Sequence, residues 1–240
     1  YVKTIGLTSN SPTGRGFANP VDLAITSDSR ILVINRGAYE FSRITVCNLE
    51  EDFLGEIGSN GAGDGQFTLP TSITVDSKDN IYVADEYLNR VTVFDTTGNF
   101  LTKWGTRGSE SGDLSGPSGL AIDGEDNLYL VDQRNNRVQK FTTDGNLLCS
   151  WGEPGNGPGQ LDQPWGICID SSGDVLVADW RNDRIQKFSP DGKPIMQFGE
   201  SGSLAGQLRR PSDVAVTDDQ YIIVSDWGNE RVQVFDPDGQ

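Results

Sequence analysis

The stretch Pro164–Gly199, PWGICIDSSGDVLVADWRNDRIQKFSPDGKPIMQFG, can be laid over the rest of the chain again and again. A proline opens each copy at Pro20, Pro70, Pro117, Pro164 and Pro211, and the last four are 47 residues apart. An arginine recurs at Arg43, Arg90, Arg137, Arg184 and Arg231, every step being 47 residues. Fifteen residues after each proline stands Asn35, Asp85, Asp132, Asp179 or Asp226, and a glycine closes the copies at Gly58, Gly105, Gly152 and Gly199. A period of this length marks an array of similar units, each packing on its neighbours.

Inside Pro164–Gly199 the apolar residues come in four short runs, GICI, DVLVA, RIQKF and PIMQF. Ser-Ser-Gly-Asp, the segment 179–183 and Pro-Asp-Gly-Lys separate them, so each unit is read as four strands with tight turns. No window is long enough for an amphipathic helix. Runs such as LYLV, IIVS and VQVF are apolar on both faces, as expected of sheets sandwiched between others. Four antiparallel strands in each of five units predict an all-β chain, a β-propeller of four-stranded blades, because radial packing covers both faces and leaves only short edges. The opening YVKTIG matches the fourth strands FLGEIG, FLTKWG, LLCSWG and PIMQFG, while the chain ends on a third strand and its turn, VQVFDPDGQ. The N-terminal strand is therefore expected to complete the last blade.

The repeat runs through all 240 residues and predicts a single domain, 1–240, acting as a monomer. No apolar stretch approaches the length of a membrane span, and no signal-peptide pattern is read. The three cysteines, Cys47, Cys149 and Cys168, fall on three different strand types, which argues against a disulfide framework and for free thiols in a cytoplasmic protein. The formal net charge of −16 is unevenly placed. The turns joining strands one to two and three to four carry 18 acids against Arg30, Lys78 and Lys193, so one end of the blades is expected to be acidic and the other balanced.

Glycine-rich segments such as GSNGAGDGQFTLP and GEPGNGPGQLDQP precede the prolines of units two to five. None leads into a helix or carries a Gly-Lys-Ser pattern, so they are read as crossovers rather than phosphate loops. The apolar residue three places before each proline (Phe17, Phe67, Leu114, Leu161, Leu208) is expected to plug the gap between adjacent blades. Unit one is irregular, with three extra residues that bring Tyr39 and Phe41 into its loop between strands two and three.

The recurring Pro-x-Gly-[Ile/Leu], the Asp-x-x-Asn-x-Arg-[Ile/Val]-Gln-x-Phe core, the Asp-Gly turn and the closing Trp-Gly resemble the NHL repeat over nearly the whole chain. WD40 and kelch signatures are absent. The resemblance implies a propeller that commonly has six blades, whereas five units are counted in this sequence. Asn35 departs from the pattern by replacing the aspartate.

A group present in every blade is better explained as a turn lock than as a catalyst. The Asp85/Arg90 type of pair is therefore read as structural. Residues in the same loops that differ between copies are the candidate ligand-binding set: Arg36, Tyr87, Arg134, Trp165, Trp180, Arg181 and Trp227. Arginine, tyrosine and tryptophan combine contact area with directed donors, which suits recognition of a protein, a peptide or a small ligand. With no histidine in the chain, a Ser-His-Asp triad and a His-based zinc site are excluded. No catalytic residue, metal ligand or cofactor is assigned, and the reading is a non-catalytic binding scaffold. Two alternatives follow from the resemblance: a lactonase- or lyase-like enzyme holding Ca²⁺ or Mg²⁺ on carboxylates, and a binder of single-stranded RNA. Nucleic acid is disfavoured by the net charge, which repels a polyanion.

Overall fold

The computed structural model describes residues 16–37 and 41–240. The chain divides into two compact units, Tyr1–Arg107 and Gly108–Gln240. The first unit holds two four-stranded antiparallel sheets. Blade one comprises Pro20–Ile25, Ile31–Asn35, Arg43–Cys47 and Phe53–Ile57; blade two comprises Pro70–Val75, Ile81–Asp85, Arg90–Phe94 and Phe100–Trp104. The second unit holds blade three (Pro117–Ile122, Asn127–Asp132, Arg137–Thr142, Leu147–Trp151) and blade four (Ile167–Ile169, Val175–Asp179, Arg184–Phe188, Pro194–Phe198). Blade five follows with the three strands Pro211–Val216, Ile222–Asp226 and Arg231–Phe235. These small meandering sheets are the blades of a β-propeller, five in this chain. The segment YVKTIG, expected to supply a fourth strand to blade five, lies outside the described residues.

The middle strands are buried on both faces because each is flanked by sheets. Val175–Asp179 is buried throughout, as are Ile81–Asp85 and Arg90–Phe94. The plug residues pack as the sequence suggests. Phe67 is fully buried among Leu32, Ile34 and Ile44 of blade one and Ile73, Ile81 and Val83 of blade two. In the second unit Leu161 joins Tyr129, Val131 and Val138 of blade three to Ile167, Val177 and Phe188 of blade four. Leu208 does the same for blades four and five, among Ile185, Phe198, Val214 and Val224. The crossover glycines fit this packing closely: at Gly199, with φ +87°, an added Cβ would stand 2.6 Å from Leu208 Cδ1.

The Asp/Arg pair is a buried lock. In blade four the carboxylate of Asp179, with no exposed surface, accepts the Asp162 N–H at 2.8 Å and side-chain hydrogen bonds from Asn182, Arg184 and Gln186. Arg184 turns its other nitrogens to the carbonyls of Asn156, Gly157 and Gln160, tying the glycine-rich crossover to the sheet. Asp132 with Arg137 and Asp226 with Arg231 repeat the pattern, each ion pair at 2.8 Å. Blade two departs from it. Asp85 accepts four backbone N–H groups, from Thr68, Leu69, Tyr87 and Leu88, and Leu88 and Thr92 stand where the other locks have Asn and Gln. Blade one departs further. Asn35 cannot ion-pair, and Arg43 instead meets Glu56 on the fourth strand at 2.8 Å.

The cysteines lie on a third, a fourth and a first strand, and all three are free thiols. Only Cys47 is fully buried; Cys149 and Cys168 are half-buried, and burial pushes all three thiols up.

Candidate binding site

Antiparallel meanders put the loop after each second strand, and the two residues before each first strand, at the same end of the blade. Hydrogen bonds join them: the N–H groups of Arg134, Arg181 and Gly228 donate to the carbonyls of Ser115, Asp162 and Arg209. In the second unit these loops are single 3-10 turns, Gln133–Asn135, Trp180–Asn182 and Trp227–Asn229. Each is closed by a residue in the left-handed region, Asn136, Asp183 or Glu230. Asn and Asp adopt that conformation more readily than most residues, which accounts for two of the three. At the first two positions of these turns the residues are exposed or half-buried and none takes part in the side-chain bonds of the lock, so the fold leaves them free to vary.

The candidate residues divide between the two units. In the first, Tyr87 is 66% exposed, whereas Arg36 is committed to Glu86 at 3.2 Å across the loops of blades one and two. Tyr39 lies outside the described residues. In the second unit, Trp165 and Trp180 pack together with ring centroids 6.0 Å apart and planes tilted by 50°. Arg181 is exposed, Trp227 is 60% exposed, and Arg134 is exposed on blade three beside Gly116. Trp151, on the fourth strand of blade three, behaves differently and packs between Tyr129 and Phe188.

Two functional candidates escaped the reading of the sequence. Arg209 and Arg210, just before Pro211, were absorbed into the crossover segment GESGSLAGQLRRP. Arg210 lies with its guanidinium carbon 4.9 Å from the centre of the Trp180 ring, a cation–π contact that spans blades four and five. Its backbone is left-handed, φ +52°, and its N–H donates to Asp183 Oδ1 at 2.7 Å. The Arg209 N–H donates to Asp226 Oδ1 at 2.7 Å, so the lock of blade five positions this loop. A signal was present, since the equivalent pairs are Ala18–Asn19, Thr68–Leu69, Ser115–Gly116 and Asp162–Gln163, none of them cationic.

The opposite end of these blades carries the acids. A cavity of about 310 Å³ there is lined by Ile122, Ile169, Val216, Asp123, Asp170 and Asp218 among others. Two of its carboxylates, Asp123 and Asp170, are engaged. Asp123 accepts the N–H groups of Glu125 and Asn127 and pairs with Lys140 at 3.2 Å; Asp170 accepts those of Ser172 and Asp174 and pairs with Lys187 at 2.7 Å. Among the described residues no group of three or more His, Cys, Asp or Glu side chains is arranged to hold a metal ion.

The repeated four-stranded sheets and their recurring lock define a repeat propeller, and comparison with known proteins places it more narrowly. The family model described as NHL repeat matches residues 161–188 and 208–235, and one described as a 6-bladed beta-propeller matches residues 77–141. The chain belongs to the NHL-repeat β-propellers. No curated protein matches it. Among solved structures, a streptogramin B lyase is similar at TM-score 0.69 and 15% identity, over 98% of this chain and 72% of that one. A chain of a nidogen/laminin complex is similar at 0.65 and 19%, over 90% and 75%. A gluconolactonase from Xanthomonas campestris is similar at 0.62 and 17%, over 85% and 68%. At these identities the likeness is one of fold.

Proposed function

We propose that the chain is a binding scaffold that holds a protein, peptide or small ligand on the loops carrying Trp165, Trp180, Arg181 and Trp227. The observation that carries this reading is the unequal treatment of equivalent positions. The aspartates of the lock recur in blades two to five and are buried, while the positions beside them vary and include the exposed Arg181 and Trp227 and the half-buried Trp165 and Trp180. A scaffold requires the first group in every copy and leaves the second open to selection by a partner. Tryptophans beside guanidiniums are the composition in which binding hot spots are enriched. The triple variant Trp180→Ala/Arg181→Ala/Trp227→Ala tests the reading against partners captured by the parent chain. Loss of affinity of at least about tenfold with an unchanged melting temperature supports it; equal affinity removes the site.

The enzyme alternative is motivated by the fold shared with a lyase and a lactonase. It requires a cation held by carboxylates, so elemental analysis of protein purified without chelator distinguishes it from the scaffold reading.

A further inference from the structure

The second unit contains ten basic residues. Six of them, Arg137, Lys140, Arg184, Lys187, Lys193 and Arg231, sit in ion pairs with aspartates. The guanidinium groups of Arg181, Arg209 and Arg210 form no ion pair with a carboxylate among the described residues, although the chain carries a net charge of −16. All three belong to one loop cluster on blades four and five. The Arg181 N–H donates to the Asp162 carbonyl, two residues before Pro164, and the Gly228 N–H donates to the Arg209 carbonyl. Of the two acids nearest in the chain to Arg181, Asp179 is held in the buried lock and Asp183 already accepts the Arg210 N–H. Beside these cations stand the tilted Trp165–Trp180 pair and the exposed Trp227 ring.

Leaving three guanidiniums unpaired in an acid-rich protein keeps their donors available to a carrier of negative charge. Arginine presents a planar fork that matches a carboxylate with two parallel hydrogen bonds, and stacking on Trp180 limits the orientations that Arg210 must give up on binding. The rings alongside add an apolar surface within reach of the same ligand. We infer that this cluster takes a peptide segment in which carboxylates flank an aromatic or branched apolar side chain. The inference rests on the scaffold reading and names the partner class for it. A peptide with two or three carboxylates fits better than a nucleic acid strand. A strand brings a charge at every nucleotide, which an acidic chain repels along its length, and it would need a longer cationic track than three arginines on two blades.

The scaffold itself supplies the control. In blade three the residues equivalent to Arg209 and Arg210 are Ser115 and Gly116, and Gly116 is left-handed with φ +62°. The double variant Arg209→Ser/Arg210→Gly therefore transplants a loop sequence the fold already uses and suits the positive φ. The probes are fluorescent dodecapeptide sets with two glutamates flanking a fixed phenylalanine, the same sets with glutamines, and a ten-nucleotide single-stranded RNA, all titrated by polarisation. The expected result is glutamate peptides binding at least about tenfold more tightly than glutamine peptides, and that preference disappearing in the double variant with its melting temperature unchanged. Equal binding of the two peptide sets overturns the inference and leaves the scaffold reading standing. Preferential binding of the RNA overturns the inference in favour of a nucleic acid ligand. Binding of no probe, together with a triple tryptophan/arginine variant that retains the parent's partners, removes both readings.

Discussion

Blades four and five have two ends built from the same charged vocabulary and put to opposite uses. At the turn end the charges are satisfied locally. Asp170 accepts backbone N–H groups from its own turn while Lys187 closes on Asp170 and Asp174, and Ser189, Asp191 and Lys193 bond one another in the next turn. At the loop end the guanidiniums of Arg181, Arg209 and Arg210 are in no ion pair among the described residues, and that of Arg210 lies over the Trp180 ring. A cluster of acids is thus explained here by turn chemistry, since a carboxylate at the first turn position accepts the N–H groups two and four residues on. The acidic end is conspicuous in composition, but its charges serve the fold. The smaller cationic end is the one whose donors the fold leaves outward.

The contrast breaks most visibly at the lock beneath the loops. Asp179→Ala leaves the Arg184 guanidinium and the Asp162 N–H without their buried acceptor, and is expected to cost about 3–5 kcal/mol in denaturant unfolding. Leu208→Ala, which opens a cavity between blades four and five, is expected to cost about 2–5 kcal/mol by the same measurement. A smaller loss is expected at the turn end: Asp170→Ala removes the acceptor for two turn N–H groups and for Lys187, costing about 1–3 kcal/mol.

Acid titration sharpens the comparison in sign. Burial acts to raise the Asp123 carboxyl, but bonds from Asn127, the backbone N–H groups and Lys140 outweigh it and hold the group below its ordinary value. Its contribution is therefore full above the usual carboxylate range and is lost as pH falls below that range through the lowered folded value. The melting-temperature gap between parent and Asp123→Ala should close below about pH 4. Burial instead leaves Asp132 and Asp179 raised, against the pull of their hydrogen bonds and their arginines, so their deprotonation costs folded stability as pH rises. At the loop end Trp227→Ala should move stability by less than about 0.5 kcal/mol, because most of its ring is already in water. A large loss there would show that the ring supports the blade.

The sheets were legible because they are local and repeated. Apolar runs of four to six residues broken by Asp-Gly and Ser-Gly turns became strands close to the expected bounds, and Phe67, Leu161 and Leu208 fill the gaps predicted from their spacing before proline. The lock was legible as a pair to be treated as structure. Its wiring was not, because the partners of Arg184 lie 24 to 28 residues away on a crossover whose path no pattern reveals. The site was only partly legible. Variation between copies selected Trp165, Trp180, Arg181 and Trp227, which share one unit, but gave Arg36 a role that its pairing with Glu86 now competes with. It passed over Arg209 and Arg210 because a conserved-looking crossover hid the two positions that differ.

Sequence alone determined the repeat, the all-β blades and which positions the scaffold leaves unspecified, because strand period, turn residues and plug spacing act over a few neighbouring residues. Tertiary structure decided which charges are left without a partner. That depends on backbone carbonyls and carboxylates brought together from adjacent blades, as where Arg210, held left-handed by Asp183, lies over Trp180.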